Sequence, residues 1–467
     1  MDDVRQAPRK GKQVFTGRDM KRFGGGVRAG KRPVELRGIY IPHNKLTAEM
    51  PTTVMPLPKQ IVLPMQQHVG AACVPQVKRR THVEVGQLVG HSDARMTCDI
   101  FSPVSGTVRD IRQIHYSDGR SDEALVIEPD GEQTVHESVV KPEVSDYASL
   151  VQAVKRSGIV GLGGAGFPAW VKMDADLSTI DTWLVNAAEC EPYLSTDYRE
   201  MIEHPDTILE GIKTCLDLSG IPRSLICIED NKPKAIELLR ELSADDPRID
   251  VFVLPARYPQ GASRVILRNV TGRSVPRGGH LTDVGALLFN VTTMSEIGRF
   301  LRTGMPLTKR RLTVMGDAIA RPQNLEVLVG TPISEILEYC GCAPGPRKVI
   351  IGGPMMGTTQ VELDVPIVRQ NCGLLAFGVN GPVVPRQTAC IKCSRCIDHC
   401  PIRLSPIDIH KAYVARDVAA LDRLMADLCV ECGTCSYVCP SKQPLVQSTH
   451  LARAMLRAEQ RKAKGRR

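Results

Sequence analysis

The spacing of apolar and polar residues changes at about residue 145 of the chain. Before that point, short apolar runs alternate with turn residues, as at residues 61–64, 83–90 and 101–108, which predicts short β-strands. Beyond it, apolar residues at helical spacing alternate with continuous apolar runs, which predicts an α/β domain. The helices expected there are residues 149–156 and 232–242, and the strands are residues 183–188, 225–228, 251–254 and 287–291.

Two further patterns follow toward the C-terminus. A strand at residues 311–315 and a short helix at 332–339 predict a small α+β module, which a glycine-rich turn at 352–357 follows. Residues 401–428 predict a helical segment, whose apolar face is formed by Ile407, Ala412, Val414, Leu421, Leu424 and Met425. We therefore expect a multidomain fold of mixed α/β and α+β class, since 467 residues exceed the usual size of one domain.

The first β-rich region contains two half-motifs, V-x-V-G-Q from Val83 and S-P-V-S-G-T-V from Ser102. This pair resembles the barrel-sandwich fold of biotinyl and lipoyl carriers, which present a lysine on the hairpin between the halves. Here that hairpin, residues 91–96, contains no lysine. The resemblance therefore extends to the fold alone, and we expect no swinging-arm cofactor.

The net charge of +9 is concentrated at the two ends of the chain. Residues 1–35 and 451–467 are rich in Lys and Arg, which is compatible with solvated termini, with an anionic membrane surface or with an acidic partner protein. Neither end interleaves aromatic with basic residues, so nucleic acid is not an expected partner. There is no apolar run of 18 residues and the N-terminus is charged, so we expect neither a transmembrane helix nor a signal peptide.

The 16 cysteines form two runs of four and eight scattered residues, which we expect to be reduced cytosolic thiols. Both runs read C-x-x-C-x-x-C-x-x-x-C-P, the pattern of bacterial ferredoxins with two [4Fe–4S] clusters, in which the fourth cysteine of each run ligates the other cluster. This predicts one cluster on Cys390, Cys393, Cys396 and Cys439, and a second on Cys429, Cys432, Cys435 and Cys400. Two structural zinc sites are the alternative, although zinc does not explain the C-P ending of each run.

A glycine-rich stretch places Gly161, Gly163, Gly164 and Gly166 directly before Phe167 and Pro168. Its G-x-G-x-x-G spacing is a weak dinucleotide signal, because a helical segment rather than a strand precedes it. Pro168 suits the first position of a helix, and glycine N–H groups before a helix can cradle a phosphate that Lys172 would neutralise. From the spacing alone, an ordinary turn is favoured and the phosphate cradle is the alternative.

Polar residues follow the predicted strand 183–188. Asn186 lies near its end, and Glu189 and Glu191 come directly after it. Ligands in α/β folds bind at the carboxyl ends of strands. We therefore expect Asn186 to meet a flavin edge, and the two glutamates to meet ribose hydroxyls or a nicotinamide.

Together, the motifs G-L-G-G-A-G-F-P-x-x-x-K and N-A-x-E-x-E-P are similar to the flavin subunit of respiratory complex I. The order of motifs along nearly the whole chain, including the N-terminal lead, the residues 258–261 and both cysteine runs, resembles the RnfC proteins of Rnf electron-transport complexes. The resemblance implies non-covalent FMN held by Gly161, Gly163, Gly164, Gly166, Lys172, Asn186, Glu189, Asn290 and Thr293, and NADH in contact with Phe167 and Glu191. Two positions depart from the related motifs, because Ala188 stands where complex I has Asp and Ser263 where Rnf proteins commonly have Glu.

By this resemblance, the chain is an NADH dehydrogenase subunit, peripheral on the cytoplasmic face of the bacterial inner membrane. It oxidises NADH at FMN and passes single electrons through two [4Fe–4S] clusters to a ferredoxin-like partner subunit, while membrane subunits translocate Na⁺ or H⁺. No catalytic acid or base is expected, since hydride transfer between cofactors needs none. The alternatives are a cobalamin reductase of the microcompartment type and a non-catalytic docking scaffold that relays electrons.

The expected domains follow from these patterns in chain order. They are a basic lead (1–35), a barrel-sandwich domain (36–117), an FMN- and NADH-binding α/β domain (145–303), a β-grasp module like the soluble-ligand-binding type (304–365), a helical ferredoxin-type domain (380–450) and a basic tail (451–467).

Overall fold

The computed structural model describes residues 37–117, 119–381, 383 and 385–465. The basic lead predicted for residues 1–35, and Arg466 and Arg467 of the predicted tail, lie outside these ranges. The strands are β1 (Thr52–Val54), β2 (Ile61–Pro64), β3 (Val74–Pro75), β4 (His82–Val83), β5 (Leu88–His91), β6 (Ile100–Phe101), β7 (Gly106–His115), β8 (Ser121–Pro129), β9 (Thr182–Ala187), β10 (Ser224–Glu229), β11 (Ile249–Leu254), β12 (Ala286–Asn290), β13 (Lys309–Met315), β14 (Gln323–Leu328), β15 (Lys348–Ile351), β16 (Thr358–Gln360) and β17 (Gly373–Phe377).

The helices are α1 (Tyr147–Lys155), α2 (Ala169–Met173), α3 (Thr196–Glu203), α4 (Pro205–Ser219), α5 (Pro233–Leu242), α6 (Ser263–Thr271), α7 (Val291–Thr303), α8 (Ile333–Tyr339), α9 (Arg395–Asp398), α10 (Pro406–Val414), α11 (Val418–Arg423), α12 (Thr434–Tyr437) and α13 (Leu445–Gly465). Short 3₁₀ helices occur at Leu177–Thr179, Thr282–Val284 and Ala426–Leu428. Within the described ranges, no helix combines the length and the apolar character that crossing a bilayer requires.

The barrel-sandwich domain consists of one sheet ordered β2-β8-β7-β4 and a smaller one ordered β3-β5-β6. Its core contains Ile61, Leu63, Val89 and Leu125, all of which are buried. The domain continues beyond residue 117, because β8 lies between β2 and β7 and makes antiparallel pairs with both. The predicted boundary was too early because this strand begins in a polar stretch, and only its second half is apolar.

The α/β domain has a parallel sheet with the order β11-β10-β9-β12. Its apolar strands are covered by helices, and the rings of Trp183 and Phe289 stack at 5.1 Å between centroids. The backbones of α4 and α7 approach closely at Gly211 and Gly298, where a Cβ atom would stand 2.2 Å from a carbonyl oxygen of the facing helix. The predicted helices and strands of this domain are present, with ends shifted by a few residues.

A mixed sheet with the order β1-β14-β13-β17-β15-β16 packs against α8 through buried apolar residues. This is the predicted β-grasp module, but two strands come from outside residues 304–365. Strand β1 arrives from the segment before the barrel-sandwich domain and pairs with β14. Strand β17 follows the glycine-rich turn and pairs with β13.

The C-terminal domain is helical around the cysteines, and its core includes Leu404, Ile409, Leu421 and Leu456. The predicted helical face in residues 401–428 is confirmed by α10 and α11, although Val414 and Met425 are exposed. Residues 451–465 are not a separate tail as predicted. They continue α13, and Ala452 and Leu456 anchor that helix in the core.

Candidate functional site

Two asparagines lie side by side at the carboxyl edge of the parallel sheet. Asn186 of β9 and Asn290 of β12 are register partners on neighbouring strands. The Asn186 amide donates to the carbonyl of Gly261 at 2.9 Å, and the Asn290 amide donates to Asp197 at 2.7 Å. The Asn290 side-chain oxygen also caps α7 by accepting from the backbone N–H of Thr293. This edge is where α/β folds bind ligands.

The glycine-rich stretch forms a closed loop against the same edge. The N–H of Gly161 donates to the carbonyl of Phe167 at 2.8 Å, and the N–H of Leu162 donates to the Thr293 hydroxyl at 3.0 Å. Gly163 lies directly on Asn290, since a Cβ atom there would be 3.3 Å from the Asn290 Cβ. Gly164 has φ of 101° and faces open space. The structure therefore brings the predicted glycines, Asn290 and Thr293 together beside a space with room for a ligand.

The helix after this loop is shorter than the sequence implied. Helix α2 begins at Ala169, so Pro168 is the residue before the helix rather than its first residue. With five residues, α2 does not offer the helix N-terminus on which the phosphate-cradle alternative depended. Polar contacts to a ligand at this edge would come from the loop itself and from the strand ends.

Lys172 is buried beneath the strand end. Its ammonium donates to the carbonyl of Leu288 at 2.8 Å and lies 4.8 Å from the centroid of the Phe289 ring. Burial lowers its pKa to about 8. The ammonium is held by backbone of β12, so its contact with FMN stays a prediction.

Glu189 lies at the bottom of the loop after β9, in the left-handed region with φ of 46°. One carboxylate oxygen accepts from the N–H of Asp197 at 2.7 Å, and the other lies 3.5 Å from the Lys45 ammonium without forming a hydrogen bond. Lys45 also donates to the backbone carbonyls of Glu189 and Leu194. Burial raises the pKa of Glu189 and lowers that of Lys45, while their proximity opposes both shifts.

Glu191 points away toward the junction with the cysteine-rich domain. It accepts from the N–H of Met355 in the glycine-rich turn at 3.1 Å, and the Tyr258 hydroxyl is 3.4 Å from its other oxygen. Burial raises its pKa to about 7. The same Tyr258 hydroxyl donates to the backbone carbonyl of Cys432 at 2.6 Å. The predicted NADH residue is thus linked to a predicted cluster ligand.

The two departures from the related motifs have simple surroundings. Ala188 is buried, and its carbonyl accepts from the Lys232 ammonium at 2.6 Å. Ser263 is the first residue of α6. Neither supplies the carboxylate that the related motifs have at these positions.

Four thiols from both cysteine runs surround one cavity. Its lining includes Cys400 of the first run together with Cys429, Cys432 and Cys435 of the second. The four residues of this buried cysteine set are the crossed group that the sequence predicted. A cubane binds each thiolate at a separate iron and fits thiols spread around a cavity. Among the described residues, no group of His, Cys, Asp or Glu side chains is arranged to hold a single metal ion, which disfavours the zinc alternative.

The remaining thiols form an exposed cysteine set, Cys390, Cys393, Cys396 and Cys439. Cys390 and Cys393 are exposed, and Cys396 packs with Cys439 in one small apolar cluster. The second pair supports the crossed arrangement, because Cys396 and Cys439 come from different runs.

The two runs also repeat their backbone conformation, 39 positions apart (Cys390 to Cys429). In each run a backbone N–H two residues after the first cysteine donates to its sulfur, at 3.4 Å in Lys392 and 3.3 Å in Glu431. Left-handed φ angles recur at matching positions, in the pairs Lys392 and Glu431, Ser394 and Gly433, and Arg403 and Lys442. The repeat thus prepares two equivalent cages that differ in burial.

Several residues of this region carry no sequence signal. Lys45 comes from the N-terminal lead, Asp197 from α3 and Gln370 from the segment before β17, which packs against Gly166. Arg310 of β13 donates to the carbonyl of Leu162 in the glycine loop at 2.7 Å. Each is brought to the site by long-range packing, and no local motif marks it.

Comparison with known families matches three parts of the chain. Residues 36–132 match the RnfC barrel sandwich hybrid domain, residues 154–299 the Nuo51 FMN-binding domain and residues 389–443 a 4Fe-4S dicluster domain. An NAD⁺-reducing [NiFe]-hydrogenase covers 69% of the chain and 64% of its own, at 18% identity and a TM-score of 0.47, a likeness too weak to add to the assignment.

Curated relatives match over most of their length, and all three described here are RnfC proteins. The relative from the proton-translocating ferredoxin:NAD(+) oxidoreductase complex of Clostridium ljungdahlii is 37% identical over 78% of this chain and 80% of its own. Its counterpart from the Na(+)-translocating complex of Acetobacterium woodii is 37% identical over 80% and 85%, and that from the ion-translocating oxidoreductase complex of Rhodobacter capsulatus is 35% identical over 90% and 82%. The chain therefore belongs to the RnfC family of Rnf complexes, as an electron-transfer subunit that binds FMN and [4Fe–4S] clusters.

Proposed function

We propose that this chain oxidises NADH, or in reverse reduces NAD⁺, and exchanges the electrons singly with a partner subunit of an Rnf complex. FMN, when bound, exchanges electrons in pairs with a nicotinamide and one at a time with iron–sulfur clusters. The observation that carries the proposal is the link from Glu191 through the Tyr258 hydroxyl to the Cys432 carbonyl. It joins the nucleotide side of the α/β domain directly to the buried cysteine set.

The residues that would hold FMN are those gathered at the carboxyl edge of the sheet. Gly161, Gly163, Gly164 and Gly166 keep the loop free of side chains, so a flat ring system and a phosphate have room beside it. Asn186, Asn290, Thr293 and Glu189 line this edge with donors and acceptors, and Lys172 supplies a positive charge close by. Phe167 and Glu191 would contact NADH, and no side chain is asked to act as a catalytic acid or base.

The different burial of the two cysteine sets suggests the direction of exit. The buried set contacts the α/β domain, since Cys432 packs with Tyr258 and Cys190. The exposed set presents Cys390 and Cys393 to solvent. We infer that the buried set lies on the entry side and the exposed set on the exit side toward the partner.

In the proposed setting, the chain acts at the cytoplasmic face of the inner membrane as a peripheral subunit. The names of its relatives support a role in an ion-translocating complex, in which membrane subunits would move Na⁺ or H⁺. The partner that receives electrons would be a ferredoxin-like iron–sulfur protein of the same complex.

Anaerobic purification followed by flavin extraction, iron counting and addition of NADH tests the proposal. We expect bound FMN, about eight irons per chain and bleaching of the visible absorbance on addition of NADH. A preparation that contains FMN and iron but does not bleach with NADH would refute NADH oxidation. A lack of FMN would favour the relay scaffold, and reduction of cob(III)alamin would favour the cobalamin reductase.

A further inference from the structure

A surface groove of about 350 Å³ lies beside the exposed cysteine set. It is lined by Arg395, His399, Tyr437, Val438, Cys439, Pro440 and Lys442. Cys439 belongs to the exposed set, so the groove reaches a cluster ligand from the solvent side. The two short helices α9 and α12, one from each cysteine run, contribute to its walls.

The charge of this groove is positive. Arg395 and Lys442 are exposed, and neither forms an ion pair with a described residue. His399 adds a third basic side chain, and the lining contains no acidic one. Asp398, on the same helix as Arg395, is exposed but does not line the groove. The uncompensated charge therefore favours an anionic occupant.

The groove also offers an aromatic contact. The Tyr437 side chain is 50% exposed, and exposed aromatic residues with Arg are typical of protein interfaces. A lipid surface would need a broad cationic face, whereas here the cations flank a concave site beside a cluster ligand. These features together fit a folded acidic partner better than a membrane.

We propose that this Arg395–Lys442 groove docks an acidic, one-electron carrier protein whose own iron–sulfur cluster lies near its surface. The inference rests on the proposed function, with NADH as the source of electrons. In each encounter one electron leaves the chain and reduces the oxidised cluster of the carrier by one electron. No bond is made or broken and no proton is exchanged.

Binding to a charge-reversed variant tests the groove without relying on turnover. The probe is a small acidic bacterial ferredoxin in its oxidised state, titrated calorimetrically into the full chain loaded with FMN and iron. We expect Arg395→Glu with Lys442→Glu to raise the Kd about tenfold or more and to flatten its dependence on salt, because charges at the edge of an interface steer association. The matched control, Lys78→Glu with Arg95→Glu on the barrel-sandwich domain, has the same change of net charge and should bind as the unchanged chain does.

The paired variant Arg395→Gln with Lys442→Gln guards against loss of clusters in the charge reversal, since it should retain full iron and show an intermediate Kd. An unchanged Kd in both groove variants, or an equal loss in the control, would overturn the proposal. So would binding to phosphatidylglycerol vesicles that depends on Arg395 and Lys442 when ferredoxin binding does not. NADH bleaching of the unchanged chain reports separately on the proposed function, so ferredoxin binding without bleaching would refute that function and leave the groove standing.

Discussion

The hydroxyl of Tyr258 donates a 2.6 Å hydrogen bond to the backbone carbonyl of Cys432. Tyr258 is 2% exposed, and Cys432 is one of the four thiols around the buried cavity. A buried hydrogen bond between two domains holds them in one arrangement, because breaking it leaves a polar group without water. This contact therefore fixes how the α/β domain meets the cysteine-rich domain.

We expect Tyr258→Phe to slow electron delivery to the clusters while leaving FMN bound. The change leaves the Cys432 carbonyl without its donor, at a cost of about 1–3 kcal/mol, and loosens the contact between the domains. Anaerobic stopped-flow spectroscopy should show flavin reduction by NADH at the usual rate and slower bleaching of the clusters. Equal rates for both phases in the variant and the unchanged chain would contradict this role for Tyr258.

Crossed ligation by the two cysteine runs can be tested by counting iron in paired variants. Cys400→Ser with Cys432→Ser removes two ligands of the buried set, so about four irons should remain per chain. Cys400→Ser with Cys393→Ser removes one ligand from each set and should reduce iron toward zero. If each run instead held its own cluster, the two results would be exchanged.

Much of the fold follows from local patterns. The strands of the parallel sheet are continuous apolar runs, and their burial on both faces explains why the pattern reveals them. The cysteine spacing also predicted the sets, because a cubane needs a fourth ligand that the first three, close in sequence, do not supply. The lining of one cavity by Cys400 and the second run confirms the grouping of the buried thiols.

Other features depend on contacts between distant residues and were not predicted. Strand β1 is three residues long and becomes a strand by pairing with β14. Lys45 gains its role from backbone carbonyls of a loop far along the chain. Glu191 resembled a nucleotide ligand in sequence, and only its contact with Tyr258 shows that it also faces the cysteine-rich domain.

FMN affinity should fall as the pH rises above about 8. Burial lowers the pKa of Lys172 to about 8, so its ammonium is charged below that pH and neutral above it. A bound phosphate would raise this pKa, so the charged form binds more tightly and affinity declines by up to about tenfold per pH unit between the two values. Fluorescence titration of the apoprotein with FMN at pH 7, 8 and 9 measures this, and Lys172→Met should bind more weakly and without the decline. The same slope in the variant would remove Lys172 from the site.

Lys45→Met should destabilise the chain and reduce its FMN content. Lys45 holds the loop after β9 through two backbone carbonyls and lies 3.5 Å from the buried Glu189 carboxylate. Removing one partner of a buried ion pair costs about 3–5 kcal/mol, because the other charge stays buried and uncompensated. The melting temperature of the purified chain and its flavin-to-protein ratio report the two effects.

The controls for Lys45 separate burial from the loss of a lysine. Lys59 is 83% exposed on its side chain and lies 3.9 Å from Glu338, so Lys59→Met should change stability little, as is usual for surface pairs. Adding Glu189→Gln to Lys45→Met removes the orphaned charge and should recover part of the lost stability. FMN content should stay low in this double variant, because the loop still lacks its Lys45 hydrogen bonds. Full recovery of FMN would show that Lys45 only balances charge and does not position the loop.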